Sequence, residues 1–280
     1  MAQGILPFKY ETEKNVTGMT ALAGLPVYLD LAQVIGLSKS IQKHLKVRKG
    51  GQGWTDSQIV LPLVLLNLAG GDRVDDIKKL EADDGFCEVL KKAEMHGLKR
   101  KVKRALLRRW RKEKTRTVPS PSSIFRYLAK FHDIEQEELR QPGRAFIPAP
   151  NEHLRGLVKI NKELQSRCIG IESTATLDMD ATLVSTNKID ALFSYKGDKA
   201  YQPLNTWWFE QGFVLHTEFR DGNVPAGFQQ LRVFKEALDC LPEQVKTVRL
   251  RSDTAGYQHN LLRYCAKGEN SRFGVIDFAI

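Results

Sequence analysis

Hydrophobic residues recur at helical spacing through the first 150 positions, and a mixed strand and helix pattern follows over the last 110. In the first part, Thr55 and Asp56 can cap a helix that continues through apolar positions to the glycines at Gly70. Two shorter helices are predicted over 75–83 and 86–92. The N-terminal half is therefore predicted to be all-α.

A proline-rich stretch separates the two patterns. Three prolines between 141 and 152 exclude a continuous helix there, because proline lacks an amide hydrogen and clashes with the preceding turn. We therefore predict a helical region over 1–140, an interdomain linker over 141–165 and a second domain over 166–280.

The second domain alternates strands with helices. The predicted order is a strand over 176–184, a strand over 212–219, a turn at 221–223, a helix over 226–241, a strand over 246–252, a helix with Tyr257, Leu261 and Cys265 on its apolar side, and a strand over 273–280. This order indicates an α+β or α/β fold with a mixed sheet.

The first of these strands carries two carboxylates on one face. Leu177 and Met179 alternate with Asp178 and Asp180, so the two aspartates point the same way. Neighbouring like charges repel each other, which favours a divalent cation beside them, although two solvated aspartates would give the same pattern. Asp253 follows the strand 246–252, at the sheet edge where ligands and catalytic groups collect, or serves only as a helix N-cap.

The net charge is +10, and one segment carries all of it. From Lys99 to Arg116 the chain has eleven basic residues and one acidic residue, so the remainder is neutral. Val102, Leu106 and Trp110 recur every four residues, which predicts an apolar stripe with the basic side chains pointing away from it. Such a cluster attracts a polyanion, most commonly nucleic acid; a solvated basic face without a partner is the alternative.

A second helix is predicted after the polar break at 117–122. Apolar residues over 124–131 would face inward, and Arg126, Tyr127 and Lys130 would lie on or near the exposed side, as in a recognition helix. Plain packing of a helix bundle explains the same pattern. The residues we assign to DNA contact are Lys99, Arg100, Lys101, Lys103, Arg104, Arg108, Arg109, Arg111, Lys112, Arg126 and Lys130.

Several classes of protein are excluded by the sequence. Four cysteines without a C-x-x-C pair support neither a disulfide framework nor a zinc site, which indicates a reducing compartment. The longest apolar run, 59–69, contains Pro62 and Asn67 and is too short to cross a bilayer, and no signal peptide precedes it. Motifs for nucleotide binding, zinc proteolysis and serine esterases are absent from the sequence. We expect a cytoplasmic, nucleoid-associated protein without a membrane partner.

Three segments of the second domain together resemble the DDE transposases of bacterial insertion sequences, of the group 1 type. They read Leu-Asp-Met-Asp-Ala-Thr at 177–182, Arg-Asp-Gly-Asn at 220–223 and Leu-Arg-Ser-Asp-Thr-Ala-Gly-Tyr at 250–257. The segments 68–80 and 119–122 are similar as well. The resemblance therefore covers most of the chain.

The resemblance implies a ribonuclease-H-like mixed-sheet domain, incomplete in this chain, behind an N-terminal all-α DNA-binding region. It implies an Asp, Asp, Glu triad that binds two Mg²⁺ or Mn²⁺ ions for cleavage and transfer of DNA strands. Asp180 matches the first carboxylate and Asp253 the second; Asp178 is a further metal ligand or the alternative first carboxylate. The implied partners are double-stranded DNA with terminal inverted repeats and a second copy of the chain in a synaptic complex.

The third carboxylate has no match. In the family it comes from a helix beyond the strand that follows the second Asp, and this chain stops within that strand. Glu269 lies in a polar turn only 16 residues after Asp253 and does not match. We therefore expect the glutamate beyond Ile280, in a chain that is a truncated reading frame or a fragment. His216 and His259 lie outside the matched motifs, and we expect them to be structural or surface residues.

Three functions remain open from the sequence. The first is an active insertion-sequence transposase. The second is a catalytically dead remnant that binds terminal repeats without cutting them, because its glutamate is absent. The third is an RNA-binding protein that uses the basic helix to grip a structured RNA.

Overall fold

The computed structural model describes residues 19–48, 53–109, 116–168, 170 and 173–280. The described residues form two compact units. One contains the described residues up to 129 except 43–45, and the other contains 43–45 and 130–280.

The described residues before 130 are helical, as the hydrophobic spacing predicts. The helices are α1 (Leu25–Val34), α2 (Leu37–His44), α3 (Asp56–Leu68), α4 (Ile77–Glu81), α5 (Asp84–Met95), α6 (Arg100–Arg109) and α7 (Pro121–Leu128), with a 3₁₀ turn at Val74–Asp76 before α4. Thr55 and Gln58 form a reciprocal capping box at the start of α3, which satisfies two amides that the helix itself leaves free. The predicted start of this helix is confirmed.

A carboxylate fixes the loop between α6 and α7 in the helical unit. The Glu81 side chain accepts hydrogen bonds from the backbone amides of Thr117 and Val118, at 3.0 and 2.8 Å. Thr117 and Val118 are both buried. Without Glu81, two amides would be left without a partner away from water, which is costly.

The second unit carries the strands. Its elements are α8 (Ile134–Glu137), α9 (Glu152–Cys168), β1 (Thr174–Ala181), β2 (Val184–Ser185), β3 (Ala200–Tyr201), β4 (Leu204–Trp208), β5 (Phe213–Glu218), α10 (Gln230–Cys240), β6 (Thr247–Ser252), α11 (His259–Ala266) and β7 (Asp277–Ala279). Five strands form one mixed sheet in the order β5-β4-β1-β6-β7. β4 is antiparallel to β1 and β5, whereas β1, β6 and β7 run parallel. β2 and β3 form a separate antiparallel pair.

Helix α9 lies in the segment 141–165 that the prolines predict to be a linker, and it extends to Cys168. The physical reason is that the prolines end at Pro150, so nothing in the following residues interrupts a helix. Asn161 and Gln165 donate side-chain hydrogen bonds to backbone carbonyls of β5, including one of 3.0 Å to Val214. The helix thus occupies carbonyls on the outer edge of the sheet, which would otherwise be open to pairing.

One face of the sheet packs against α10 and α11. Leu177 and Met179 of β1 and Leu250 of β6 meet Phe234 of α10 and Leu261 of α11 in a fully buried core. The alternation along β1 therefore sends its apolar residues inward and leaves Asp178 and Asp180 on the opposite face.

Three local predictions for this unit differ from the structure. Strand β4 is not predicted from the sequence, because the polar residue Thr206 occupies a fully buried position and breaks the apolar alternation. Helix α10 begins at Gln230 rather than 226, because Gln229 adopts a left-handed conformation with φ of 52°. Tyr257 is 75% exposed, because a 3₁₀ turn separates β6 from α11.

A chain of ion pairs joins the end of β5 to α10. Glu218 binds both Arg220, at 2.9 Å, and Arg232, and Arg232 continues to Glu236, which pairs with His216. Burial acts most strongly on the pKa of His216 and lowers it, but hydrogen bonds with Cys240 and Glu236 outweigh burial and raise the pKa to about 9. His216 is thus a buried structural residue.

We predict that Glu81→Ala lowers the free energy of unfolding by about 2 kcal/mol, because two buried amides lose their acceptor. Urea denaturation measures the change. Glu88→Ala is the matched control, since Glu88 is exposed and forms only a surface ion pair with Lys91 at 3.4 Å. Equal stability of the two variants would contradict the role given to Glu81.

We predict that His216 stabilises the fold most at pH below about 6.5 and that this contribution is lost as the pH rises through about 9. The sign follows because the folded protein holds the proton more tightly than the unfolded chain. The melting temperatures of the wild type and of His216→Gln should therefore converge between pH 7 and 10. A constant difference across this range would refute the prediction.

Candidate active site at the carboxyl edge of the sheet

Parallel pairing of β1 with β6 brings Asp180 and Asp253 to the same level of the sheet. The last paired residues are Met179 and Ser252, and the Ser252 hydroxyl donates to the Met179 carbonyl at 3.0 Å. Asp180 and Asp253 each follow one residue later, on strands that lie about 4.8 Å apart. Both side chains are exposed. Asp180 and Asp253, which the resemblance identifies, therefore lie at the same level of the sheet, at its carboxyl edge.

The two aspartates differ in what surrounds them. Asp253 is the N-cap of the 3₁₀ turn, and its carboxylate accepts a hydrogen bond of 3.0 Å from the Ala255 amide. Asp180 lies opposite Asn205 of β4, whose side-chain oxygen accepts from Thr217 at 2.7 Å. One oxygen of Asp253 thus accepts from the backbone, whereas the strand neighbour of Asp180 is an amide side chain.

Asp178 forms an ion pair that the sequence analysis did not assign. Arg251 faces Asp178 across the strand pair and binds both carboxylate oxygens with two nitrogens, Nη2 at 2.6 Å. The same guanidinium lies over the Phe209 ring, 4.5 Å from its centroid. The hydrogen bond with Asp178 raises the pKa of Arg251 above its ordinary value. Metal binding by Asp178 would compete with this pair, so its assignment as a ligand stays a prediction.

No third carboxylate joins the two aspartates in the described part of the chain, where no group of three His, Cys, Asp or Glu side chains could hold a metal ion. Glu269 pairs with Arg263 at 3.6 Å beyond α11. Asp277 is level with Arg249 on β6, four residues before Asp253. Neither therefore lies at the level of the two aspartates.

The basic cluster is only partly described. Lys99, Arg100, Lys101 and Arg104 are exposed and Lys103 is half-buried. Arg108 and Arg109 lie in α6, but their side chains are outside the described part, as is Leu106; Trp110, Arg111 and Lys112 are not described at all. Val102 is 46% exposed, so the one described member of the predicted apolar stripe is not packed into the core.

Helix α7 presents a different face from the predicted one. Tyr127 is buried, and burial together with its hydrogen bond to Asp56 raises its pKa. Phe125, Arg126 and Lys130 are exposed. The prediction that Tyr127 lies on the exposed side is wrong, because the helix packs through Ile124 and Tyr127 rather than through Phe125. Arg126 and Lys130 remain open to solvent, as predicted.

The segment 220–223 is a structural corner. Arg220 has no exposed side-chain surface; besides Glu218 it contacts the carbonyls of Pro225 and Ala226 at 3.4 Å. A Cβ atom on Gly222 would lie 2.5 Å from the Ala200 carbonyl oxygen, so only glycine fits there. Their burial and close packing explain why this motif has to keep its arginine and its glycine.

The described residues and the comparisons with known proteins give three further findings. Among the described residues, none of the helices is of the length and apolarity that crossing a bilayer requires. No curated protein and no solved structure matches the chain. A family model described as Transposase DDE domain group 1 matches residues 11–277. Since this match covers nearly the whole sequence, the chain belongs to the transposase DDE domain group 1 family.

Proposed function

We propose that this transposase cleaves and joins DNA strands at the terminal inverted repeats of an insertion sequence, with Asp180 and Asp253 as its metal-binding catalytic carboxylates. The observation that carries the proposal is the parallel register of β1 and β6, in which Asp180 and Asp253 each come one residue after the last pair, Met179 and Ser252. The order and directions of the five strands support a ribonuclease-H-like fold for this unit.

Transposases of the DDE type use divalent metal ions. Carboxylate oxygens are the ligands that Mg²⁺ and Mn²⁺ prefer, so the two aspartates fit such an ion, with Asp178 as a further candidate. The bound ions would activate the attacking oxygen and stabilise the leaving one. The Asp178–Arg251 pair ties β1 to β6 just below the two aspartates, which holds them at a fixed separation.

The basic residues of α6, together with Arg126 and Lys130, are proposed to bind the DNA backbone. The support is the exposure of most of them in the described part and the concentration of the chain's entire net charge between Lys99 and Arg116, the segment that contains α6. Two DNA ends must be joined in transposition, so we propose a homodimer in the synaptic complex.

A second candidate function is DNA binding without cleavage. It is favoured by the absence of a third carboxylate beside Asp180 and Asp253 in the described residues. Both candidate functions use the same DNA contacts. In the first, Asp180 and Asp253 are needed for cleavage; in the second, no cleavage takes place.

We predict that Asp180→Ala and Asp253→Ala each lower nicking of a plasmid carrying the terminal repeats by at least about 100-fold in Mn²⁺, because a metal ligand is lost. Binding of the same DNA in EDTA should persist. Asp239→Ala, an exposed aspartate on α10, is the matched control and should nick normally. If the wild type nicks the plasmid and both site variants nick it equally well, the assignment of Asp180 and Asp253 is wrong. If the folded wild type binds the DNA but does not nick it, the second candidate function is supported.

We predict that the double variant Lys101→Ala/Arg104→Ala reduces the slope of log binding constant against log salt by about 2, because two phosphate contacts are removed. Fluorescence anisotropy with a duplex of the terminal repeat measures the slope. Lys78→Ala/Lys79→Ala removes the same charge from α4, where both lysines already pair with Asp75 and Asp76. Equal slopes for the two double variants would show that the basic helix has no special part in binding.

A further inference from the structure

The hairpin between β1 and β4 leaves the sheet at the edge that carries Asp180. Its two strands, β2 and β3, pair antiparallel, and the Thr182 amide donates to the Pro203 carbonyl at 3.0 Å where the hairpin begins and ends. Asp180 lies two residues before this point. Whatever is bound at Asp180 and Asp253 therefore lies next to the base of the hairpin.

The hairpin is held firmly by the corner at 220–223. The Gln202 amide donates to the Arg220 carbonyl at 2.8 Å, and Tyr201 pairs with Asp221 in an isolated bridge. Gly222 packs against the carbonyl oxygens of Ala200 and Leu192. The hairpin is thus a fixed platform, which lowers the entropic cost of binding a ligand on it.

Aromatic rings on this platform face solvent. Phe193 is 62% exposed and Tyr195 is 76% exposed. Phe219, which is 63% exposed, packs against Tyr201 with ring centroids 4.8 Å apart and the ring planes tilted by 48°. Large rings are normally buried, so exposed rings on this hairpin and beside it indicate a binding site.

Three of these rings, those of Phe193, Tyr195 and Tyr201, each have a lysine near them. Lys196 lies 5.8 Å from the Tyr195 ring centroid, Lys199 lies 6.0 Å from that of Phe193, and Lys188 lies 5.7 Å from that of Tyr201. Lysine is depleted in the cores of protein interfaces, so this pattern does not favour a protein partner. Rings for stacking and cations for phosphates are the combination that binds single-stranded nucleic acid.

Beside Phe193 lies an open depression of about 460 Å³. Its polar lining residues are Ser185, Thr186, Asn187, Asp198 and Lys199. Hydroxyl and amide groups can hydrogen-bond the edge of a base whose face rests on an aromatic ring.

The low net charge of the hairpin favours unpaired nucleotides over duplex DNA as its ligand. From 184 to 201 the chain has three lysines and two aspartates, so it gains little from backbone phosphates alone. Stacking requires a free base face, which paired and stacked bases in a duplex do not offer.

We infer that the β2–β3 hairpin binds unpaired nucleotides of the DNA end held at Asp180 and Asp253, by stacking bases on Phe193 and Tyr195. The inference rests on the proposed function for the position of that DNA end. The stacking platform itself is a property of the hairpin.

The test compares two labelled duplexes of the terminal repeat, one blunt and one with an unpaired tail of about five nucleotides, by fluorescence anisotropy in EDTA. The full chain should bind the tailed duplex more tightly than the blunt one. Phe193→Leu/Tyr195→Leu keeps the apolar character but removes both rings, and should weaken binding of the tailed duplex by at least about tenfold without affecting the blunt duplex.

Two controls sharpen the result. Ile189→Ser alters the most exposed apolar side chain of the hairpin, at 88% exposure, without touching a ring, and should change neither affinity. Tyr195→Phe retains the ring and should bind as the wild type does. Equal binding of both duplexes by the wild type, or an undiminished preference in the double variant, would overturn the inference, as would a loss in Ile189→Ser as large as that in the double variant.

The inference and the proposed function fail separately. Binding in EDTA does not depend on cleavage, so a tail preference that requires the two rings supports the platform even if nicking ignores Asp180 and Asp253. If nicking requires both aspartates but the wild type does not prefer the tailed duplex over the blunt one, the proposed function is supported and the inference about the hairpin is wrong.

Discussion

The parallel pairing of β1 with β6 is the constraint on which the candidate site depends. In its register Met179 lies opposite Ser252, so the residues that follow them, Asp180 and Asp253, lie at the same level. A shift by one residue would turn one of the two carboxylates into the core. The buried side of the same strands, Leu177, Met179 and Leu250, opposes such a shift, because apolar residues would then be exposed. Core packing therefore sets the geometry of the exposed edge.

Around this edge the chain uses charge to fix position. Asp178 and Arg251 cross-link the two parallel strands on the open face, and Glu218 gathers Arg220 and Arg232 at the end of β5. Burying Arg220 costs desolvation energy, and only a close carboxylate and backbone carbonyls make it tolerable. That corner in turn holds the β2–β3 hairpin. A segment that carries the family resemblance in the sequence thus has a scaffolding part in the structure.

Under the proposed function, the two units offer different interactions to DNA. The helical unit carries a dense positive charge on α6, suited to phosphates at long range. The sheet unit offers carboxylates at the edge and aromatic rings on the hairpin, which act only at contact distance. In this proposal, the positive charge of the first unit attracts DNA and the carboxylates of the second take part in cleaving it. This division is physically consistent for a member of a transposase family.

The sequence by itself determined the helical first half, the strand with paired aspartates, and Asp253 at a strand end, because helical spacing, alternation and capping are local properties. It also located the charge excess, since net charge needs no structure. Only the tertiary structure decided that Asp178 pairs with Arg251, that Tyr127 is buried and that Thr206 sits in a central strand, because each depends on a partner distant in sequence. The exposed rings of the hairpin belong to the same class. From the sequence alone, an aromatic residue is expected to lie in the core. Only the fold shows that nothing in the described part of its surroundings covers it.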